Sequence, residues 1–128
     1  MTFDSIPKRL FDRAKATPSK AGYLAKAGGV WKATDWAGYA KEVMQAARAL
    51  VALGFQPGQR VCILGFNRPE WVILDLGAMT AGGAPAGIYT TCSPDEVQYI
   101  LSHSEAPLVL VENADQLRKV EAKKSELP

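Results

Sequence analysis

The spacing of hydrophobic residues predicts a short helix and a hairpin at the start of the chain. The helix covers residues 5–16, and its apolar face comprises Ile6, Leu10, Phe11 and Ala14. Ser5 can cap it, and Thr17-Pro18 ends it. Two apolar-leaning runs at 21–27 and 30–34 flank Gly28-Gly29, which is typical of two strands joined by a tight turn.

A longer amphipathic helix is predicted at residues 35–53. Its apolar stripe comprises Trp36, Tyr39, Val43, Ala46, Ala47, Leu50 and Leu53. Gly54 follows as a natural end to the helix, because glycine accepts the left-handed conformation.

Beyond Gly54, short apolar runs alternate with helical patterns. Strands are predicted at 61–64, 84–88 and 108–111, and helices at 68–81, 93–104 and 113–124. Ser93-Pro94-Asp95-Glu96 carries a full capping box, and Asn67 with Glu70 is predicted to form another. The order predicts an α/β fold: a mostly parallel sheet flanked by helices on both faces, preceded by the short helix and the hairpin.

Composition narrows the function classes. The 128 residues suit one domain or a piece of one, and the net charge of +2 is too small to indicate nucleic-acid binding. No apolar run approaches the roughly 20 residues of a membrane span, and residues 1–14 lack a signal core, so a cytoplasmic location is expected. Cys62 and Cys92 have neither metal-site nor redox spacing and are expected to be reduced thiols.

Candidate chemistry is sought where strands of an open sheet end, because ligands bind there. Neither GxGxxG nor GxxxxGK[ST] occurs in the sequence. Tyr89, Thr90 and Thr91 group hydroxyls after one strand and just before a helix N-terminus, an arrangement that can hold an anion. The alternative for this segment is a plain turn.

The remaining polar residues have structural explanations. His103, the single histidine, and Cys92 lack an evident catalytic partner, and Glu96 is explained by helix capping. Asp75 lies in an apolar helix and is expected to have a structural hydrogen bond. No catalytic or metal-binding residue is predicted, and the three tryptophans are expected to pack in the core.

Four segments carry a specific resemblance. They are LGFQPGQRV at 53–61, GFNRPEW at 65–71, GIYTTCSP at 87–94 and YILSHSEA at 99–106. In this order they resemble the N-terminal region of the adenylate-forming (AMP-binding) enzymes. The second and third segments are similar to long-chain fatty-acid CoA ligases, especially the bubblegum-type branch.

The resemblance implies a part of a larger enzyme. Such enzymes adenylate a fatty acid with ATP and Mg²⁺ and then transfer the acyl group to CoA. Their phosphate loop, metal-binding glutamate and C-terminal domain match nothing in this sequence. Residues 1–128 are therefore expected to form a single N-terminal subdomain, inactive alone and bound to the rest of the same polypeptide.

The resemblance also implies candidate contacts with the CoA nucleotide. In relatives the loop matching Tyr89, Thr90 and Thr91 touches it, as does a basic pair near Arg118 and Lys119. Here the loop is Tyr-Thr-Thr rather than aromatic-Gly-Gly, and the basic residues stand at shifted positions.

Other functions remain open at this point. The chain could be a stand-alone α/β binding module, or the N-terminal part of a peptide-synthetase adenylation domain or a luciferase-like enzyme. Peripheral membrane association of the whole enzyme and self-association of this piece are further expectations.

Overall fold

Residues 4–128 are described by the computed structural model, in which two sheets are joined by a long helix. The elements are α1 (Ile6–Ala16), β1 (Ala21–Ala27), β2 (Val30–Asp35), α2 (Trp36–Ala52), β3 (Arg60–Leu64), α3 (Pro69–Thr80), β4 (Ala84–Ile88), α4 (Pro94–Ser104), β5 (Leu108–Val111), α5 (Ala114–Glu121) and a 3₁₀ turn (Lys124–Glu126). Within these residues, no helix combines the length and apolar character that crossing a bilayer requires.

The larger sheet is parallel, with strand order β4-β3-β5. Strand β3 is central because its residues from Val61 to Leu64 are apolar and buried, which suits a strand covered on both faces. Strands β1 and β2 form a separate antiparallel hairpin. The predicted parallel sheet, flanking helices and hairpin are confirmed.

Alternate side chains of β3 pack against different helices. Val61 joins Leu50, Phe55 and Ala78 on the side of α2 and α3. Cys62 and Leu64 face the other side, in a cluster with Ile88, Val97 and Leu101 that Val120 of α5 also contacts. Helix α3 therefore covers one face of the sheet, and α4 and α5 cover the other.

Most predicted helix ends are confirmed. The side chains of Ser5, Asp35, Ser93 and Asn113 each accept a hydrogen bond from a backbone N–H in the first turn of the following helix. Gly54 has a φ of 91°, as its place after α2 requires. The last helix ends at Glu121, earlier than predicted, and the chain continues into the 3₁₀ turn.

The capping box predicted at Asn67 is wrong. The N-cap of α3 is Arg68, whose side chain makes no capping hydrogen bond. Proline at the next position forces Arg68 into an extended conformation, φ −147° and ψ 165°, so the helix starts at Pro69. The Glu70 carboxylate binds the Arg68 guanidinium instead of the backbone.

Helices α2 and α3 approach closely at a glycine. A Cβ placed on Gly77 would lie 2.7 Å from the Ala46 Cβ and 3.2 Å from the Ala47 backbone nitrogen. Gly77 therefore sets how closely these helices pack.

We predict that Gly77→Ala lowers the free energy of unfolding by about 1–3 kcal/mol, because the added methyl overpacks the α2–α3 contact. In an Ala46→Gly background the same change should cost about 1 kcal/mol less, since the nearest atom is gone. Urea unfolding of the two single variants and the double variant measures both values. Additive costs, or a gain from the better helix propensity of alanine, would contradict this packing.

The capping box of α4 predicts a dependence of stability on pH. The Ser93 N–H lies 2.7 Å from the Glu96 carboxylate, and this hydrogen bond lowers the pKa of Glu96 below its usual 4.5. Because the pKa is lowered in the folded state, this hydrogen bond adds stability at pH values above the pKa of the unfolded state. That stability is lost as the pH falls through the pKa of the folded state.

We expect Ser93→Ala to cost about 1 kcal/mol at pH 7. In Glu96→Gln, the free energy of unfolding should fall less than in the wild type as the pH is lowered from neutral to below 4.5, the usual pKa of this carboxyl group. Urea unfolding at several pH values measures both, with Ser125→Ala in the exposed 3₁₀ turn as the control. An unchanged pH profile in Glu96→Gln would argue against the capping box.

Candidate functional site

The loops at the carboxyl end of the parallel sheet diverge around β3. The loop after β3 leads to α3 on one face, whereas those after β4 and β5 lead to α4 and α5 on the other. Neighbouring loops that part in this way leave a crevice between them, which is where open α/β sheets bind ligands. Here β3 has such a neighbour on each side, and two crevices are present.

The crevice between β3 and β4 contains the loop that the sequence singled out. Its volume is about 530 Å³, and it is lined by Gly65, Phe66, Asn67, Trp71, Gly87, Tyr89 and Thr90. Tyr89 is 83% exposed and has no protein neighbour over most of its ring. Two of the three predicted residues, Tyr89 and Thr90, therefore line this crevice, and Thr91 is exposed beside it.

The crevice between β3 and β5 is smaller, about 300 Å³, and has apolar walls with a charged mouth. Trp71, Leu74, Leu110 and Val111 supply most of the walls, and Arg68, Glu70 and Glu112 supply the charges. The Arg68 guanidinium lies 3.0 Å from one oxygen of Glu112 and 2.7 Å from one of Glu70, so its charge is already balanced by two carboxylates.

Glu112 ties the ends of β3 and β5 together. Its backbone N–H donates to Leu64 at 3.1 Å, and its carboxylate accepts from the Phe66 N–H as well as from Arg68. The Phe66 N–H and then Arg68 hold the pKa of Glu112 below its usual range. The sequence predicted the strand at 108–111 without singling out the residue that follows it. The available signal was a carboxylate directly after a strand of the parallel sheet.

Trp71 stands between the two crevices and lines both. A Cβ on Gly87 would lie 2.9 Å from the Trp71 ring, so glycine at this point of β4 makes room for the indole. Trp71 was predicted to pack in the core, and this describes only part of its position. The ring is half-buried and also forms a wall of each crevice.

The two basic residues of α5 are directed to different partners. The Lys119 ammonium donates to the carbonyl oxygens of Thr90 at 2.6 Å and of Cys92 at 2.9 Å. The Arg118 guanidinium pairs with Asp115 at the exposed surface. The structure therefore brings Lys119 to the predicted loop and leaves Arg118 away from it.

The other polar candidates have the structural surroundings expected of them, with one exception. His103 stacks on Tyr99, with ring centroids 5.6 Å apart. The hydrogen bond predicted for Asp75 is not found among residues 4–128, and burial raises the pKa of this half-buried carboxyl. Burial also raises the pKa of the Cys62 thiol, which contacts Ser104 in the core.

These groups suit binding better than catalysis. Tyr89 offers an exposed aromatic ring, Thr90 a hydroxyl, and Trp71 a flat apolar wall. No three His, Cys, Asp or Glu side chains between residues 4 and 128 stand close enough together to hold a metal ion. The residues around the crevices do not fit a resident Mg²⁺, because the Glu70 and Glu112 carboxylates both bind the Arg68 guanidinium.

Curated relatives are similar over most of the chain. The chain is 40% identical over 120 residues to the human long-chain-fatty-acid–CoA ligase ACSBG2, and 37% identical over 120 residues to its mouse counterpart. Each alignment covers 94% of this chain and 18% of the relative, so the chain spans less than a fifth of the length of these proteins.

Solved structures share the fold. The N-terminal domain of FACL13 from Mycobacterium tuberculosis aligns with a TM-score of 0.87 at 28% identity, covering 96% of this chain and 30% of that one. The anthranilate CoA ligase AuaEII in complex with anthranoyl-AMP aligns with a TM-score of 0.82 at 25% identity, covering all of this chain and 24% of that one.

The family described as AMP-binding enzyme matches residues 10–128, nearly the whole sequence. This match, the curated relatives and the shared fold agree with the motif residues at 53–61, 65–71, 87–94 and 99–106. The chain therefore belongs to the AMP-binding enzyme family.

Proposed function

We propose that these 128 residues are the N-terminal part of an ATP-dependent long-chain fatty acid–CoA ligase. The whole enzyme would activate the fatty acid as an acyl adenylate with release of pyrophosphate. It would then transfer the acyl group to the CoA thiol with release of AMP. Fatty acid, ATP and CoA are its substrates in this proposal, and Mg²⁺ is the metal that accompanies ATP.

One observation carries the proposal. Identity of 37–40% extends over 94% of the chain to proteins whose names give this activity. The aligned region includes both crevices and the loops between them. We assign no ATP-dependent step to the 128 residues, and we propose that the rest of the enzyme supplies the ATP and Mg²⁺ sites.

The contribution that we propose for this part is a contact with CoA at the crevice between β3 and β4. Three features support it. The crevice is about 530 Å³ and open to solvent. Tyr89 presents an exposed ring on which a nucleobase can stack, a contact worth about 1–3 kcal/mol. The loop residues Thr90 and Thr91 add hydroxyl groups that can donate to phosphate oxygens.

This assignment predicts where CoA perturbs the chain. In ¹H–¹⁵N spectra, added CoA should shift the amide signals of Gly65, Asn67, Gly87, Tyr89 and Thr90. Tyr89→Ala should weaken CoA binding about tenfold, because it removes the stacking surface.

The matched control is Tyr99→Ala, which removes a tyrosine that is 64% exposed on α4 and lies outside the crevice lining. It should leave CoA affinity within about twofold, as expected for a surface change away from the contact. Shifts confined to other parts of the chain, or equal losses in both variants, would refute the proposed CoA contact.

We also propose that the hairpin contacts a membrane surface in the whole enzyme. Leu24, Lys26 and Trp31 share one face of the hairpin, with Leu24 60% and Trp31 63% exposed. The Lys26 ammonium lies 6.0 Å from the Trp31 ring centre. Tryptophan, aliphatic and lysine side chains side by side favour the interface of an anionic bilayer. Self-association through the same face is the competing outcome.

Vesicle flotation distinguishes the two. The chain should float with vesicles of phosphatidylcholine and phosphatidylserine, less so at high salt. Trp31→Ser should weaken this binding about tenfold, whereas Tyr99→Ser should not. Sedimentation velocity without vesicles should show a monomer over a wide concentration range. Association that grows with concentration and disappears in Trp31→Ser would replace the membrane proposal with self-association.

A further inference from the structure

Lys119 joins α5 to the loop that follows β4. Its ammonium lies 2.6 Å from the carbonyl oxygen of Thr90 and 2.9 Å from that of Cys92. The two contacts cross 29 and 27 residues of sequence, so the loop is held by an element that follows it in the chain. Hydrogen bonds from a charged donor are stronger than neutral ones, and here two of them meet at one nitrogen.

The loop is also fixed at its two ends. The Cys92 N–H donates to the Tyr89 carbonyl at 3.0 Å, which closes a turn. The Ser93 N–H donates to the Glu96 carboxylate at 2.7 Å, which joins the turn to α4. The carbonyl groups of Thr90 and Cys92 lie between these two points, and Lys119 is the donor that reaches both.

The direction of the ammonium argues against a direct ligand contact. Two of its three donors are used by backbone carbonyls, and the side chain is half-buried between α5 and the loop. A lysine that binds phosphate as a free cation would keep its ammonium exposed at the crevice. The lining of the β3–β4 crevice includes Tyr89 and Thr90 but not Lys119.

We propose that Lys119 is a positioning residue. It fixes the Tyr89–Cys92 turn so that the Tyr89 ring stands over the crevice between β3 and β4. The ligand then meets Tyr89 and Thr90 and not the ammonium. The identity of that ligand rests on the proposed function, whereas the hold on the loop depends on the structure alone.

Lys119→Met tests directly whether the two hydrogen bonds from Lys119 fix the loop. Methionine has a similar length and helix propensity but no donor. The exposed Lys124, also near the C-terminal end, provides the matched control Lys124→Met, which makes the same change in net charge. In native-state hydrogen exchange, the Cys92 and Ser93 amides should exchange about tenfold or more faster in Lys119→Met, since charge-assisted hydrogen bonds are lost.

The central strand separates a local effect from a global one. If Lys119→Met merely weakened the fold, the Ile63 and Leu64 amides would speed up with those of the loop. The deciding quantity is the ratio of the exchange rates of the loop amides to those of the Ile63 and Leu64 amides. The proposal requires this ratio to rise in Lys119→Met and to stay as in the wild type in Lys124→Met. An unchanged ratio in Lys119→Met would overturn the proposal.

Titration with CoA then tests the consequence for binding. The affinity measured from the Tyr89 and Thr90 amide shifts should fall about tenfold in Lys119→Met and less than twofold in Lys124→Met. A freed loop that still binds CoA as tightly as the wild type would overturn the positioning role. If CoA shifts no wild-type amide, the proposed CoA contact is wrong, and the exchange ratio alone decides for or against the hold on the loop.

Discussion

The burial of β3 is the constraint on which the rest of the structure depends. Val61 to Leu64 are almost inaccessible to water, so helices must cover both faces of the sheet. The loop after β3 departs toward α3, and the loops after both of its neighbours depart toward α4 and α5 on the opposite face. The face changes because right-handed crossovers lie on opposite sides when the chain reverses its direction across the sheet after β4. The two crevices are a direct result of this divergence. A short apolar strand thus determines where a ligand can be bound.

Charged contacts add to apolar packing at the carboxyl end of the sheet, where Leu64, Ile88 and Val111 join one core cluster. Glu112 links the ends of β3 and β5 through Phe66 and Arg68, and Lys119 links the loop after β4 to α5. Backbone groups left over at strand ends must find partners, and these long side chains provide them. The same contacts reduce the freedom of the loops, which favours a preformed binding surface at little cost in conformational entropy.

Local rules predicted helix ends well where one side chain acts on its own helix, as at Ser5 and Ser93. They failed at Asn67 because two rules competed. Proline restricted Arg68 to an extended conformation, and the Glu70 carboxylate found a guanidinium instead of the backbone. A hydrogen-bond partner was predicted for Asp75 because a buried carboxylate requires one. In the structure this carboxyl group is half-exposed, so it can remain hydrated. Exposure of a single side chain depends on packing that no local pattern contains.

The sequence by itself determined the elements, the parallel sheet and the family, because apolar periodicity, capping residues and ordered motifs are written along the chain. It also placed Tyr89, Thr90 and Thr91 at a strand end. Only the tertiary structure decided that Lys119 reaches this loop while its neighbour Arg118 turns to Asp115, and that Glu112 joins two strand ends. The contacts of Lys119 and Glu112 cross 27 to 46 residues, and their geometry follows from the packing of whole helices rather than from any local sequence.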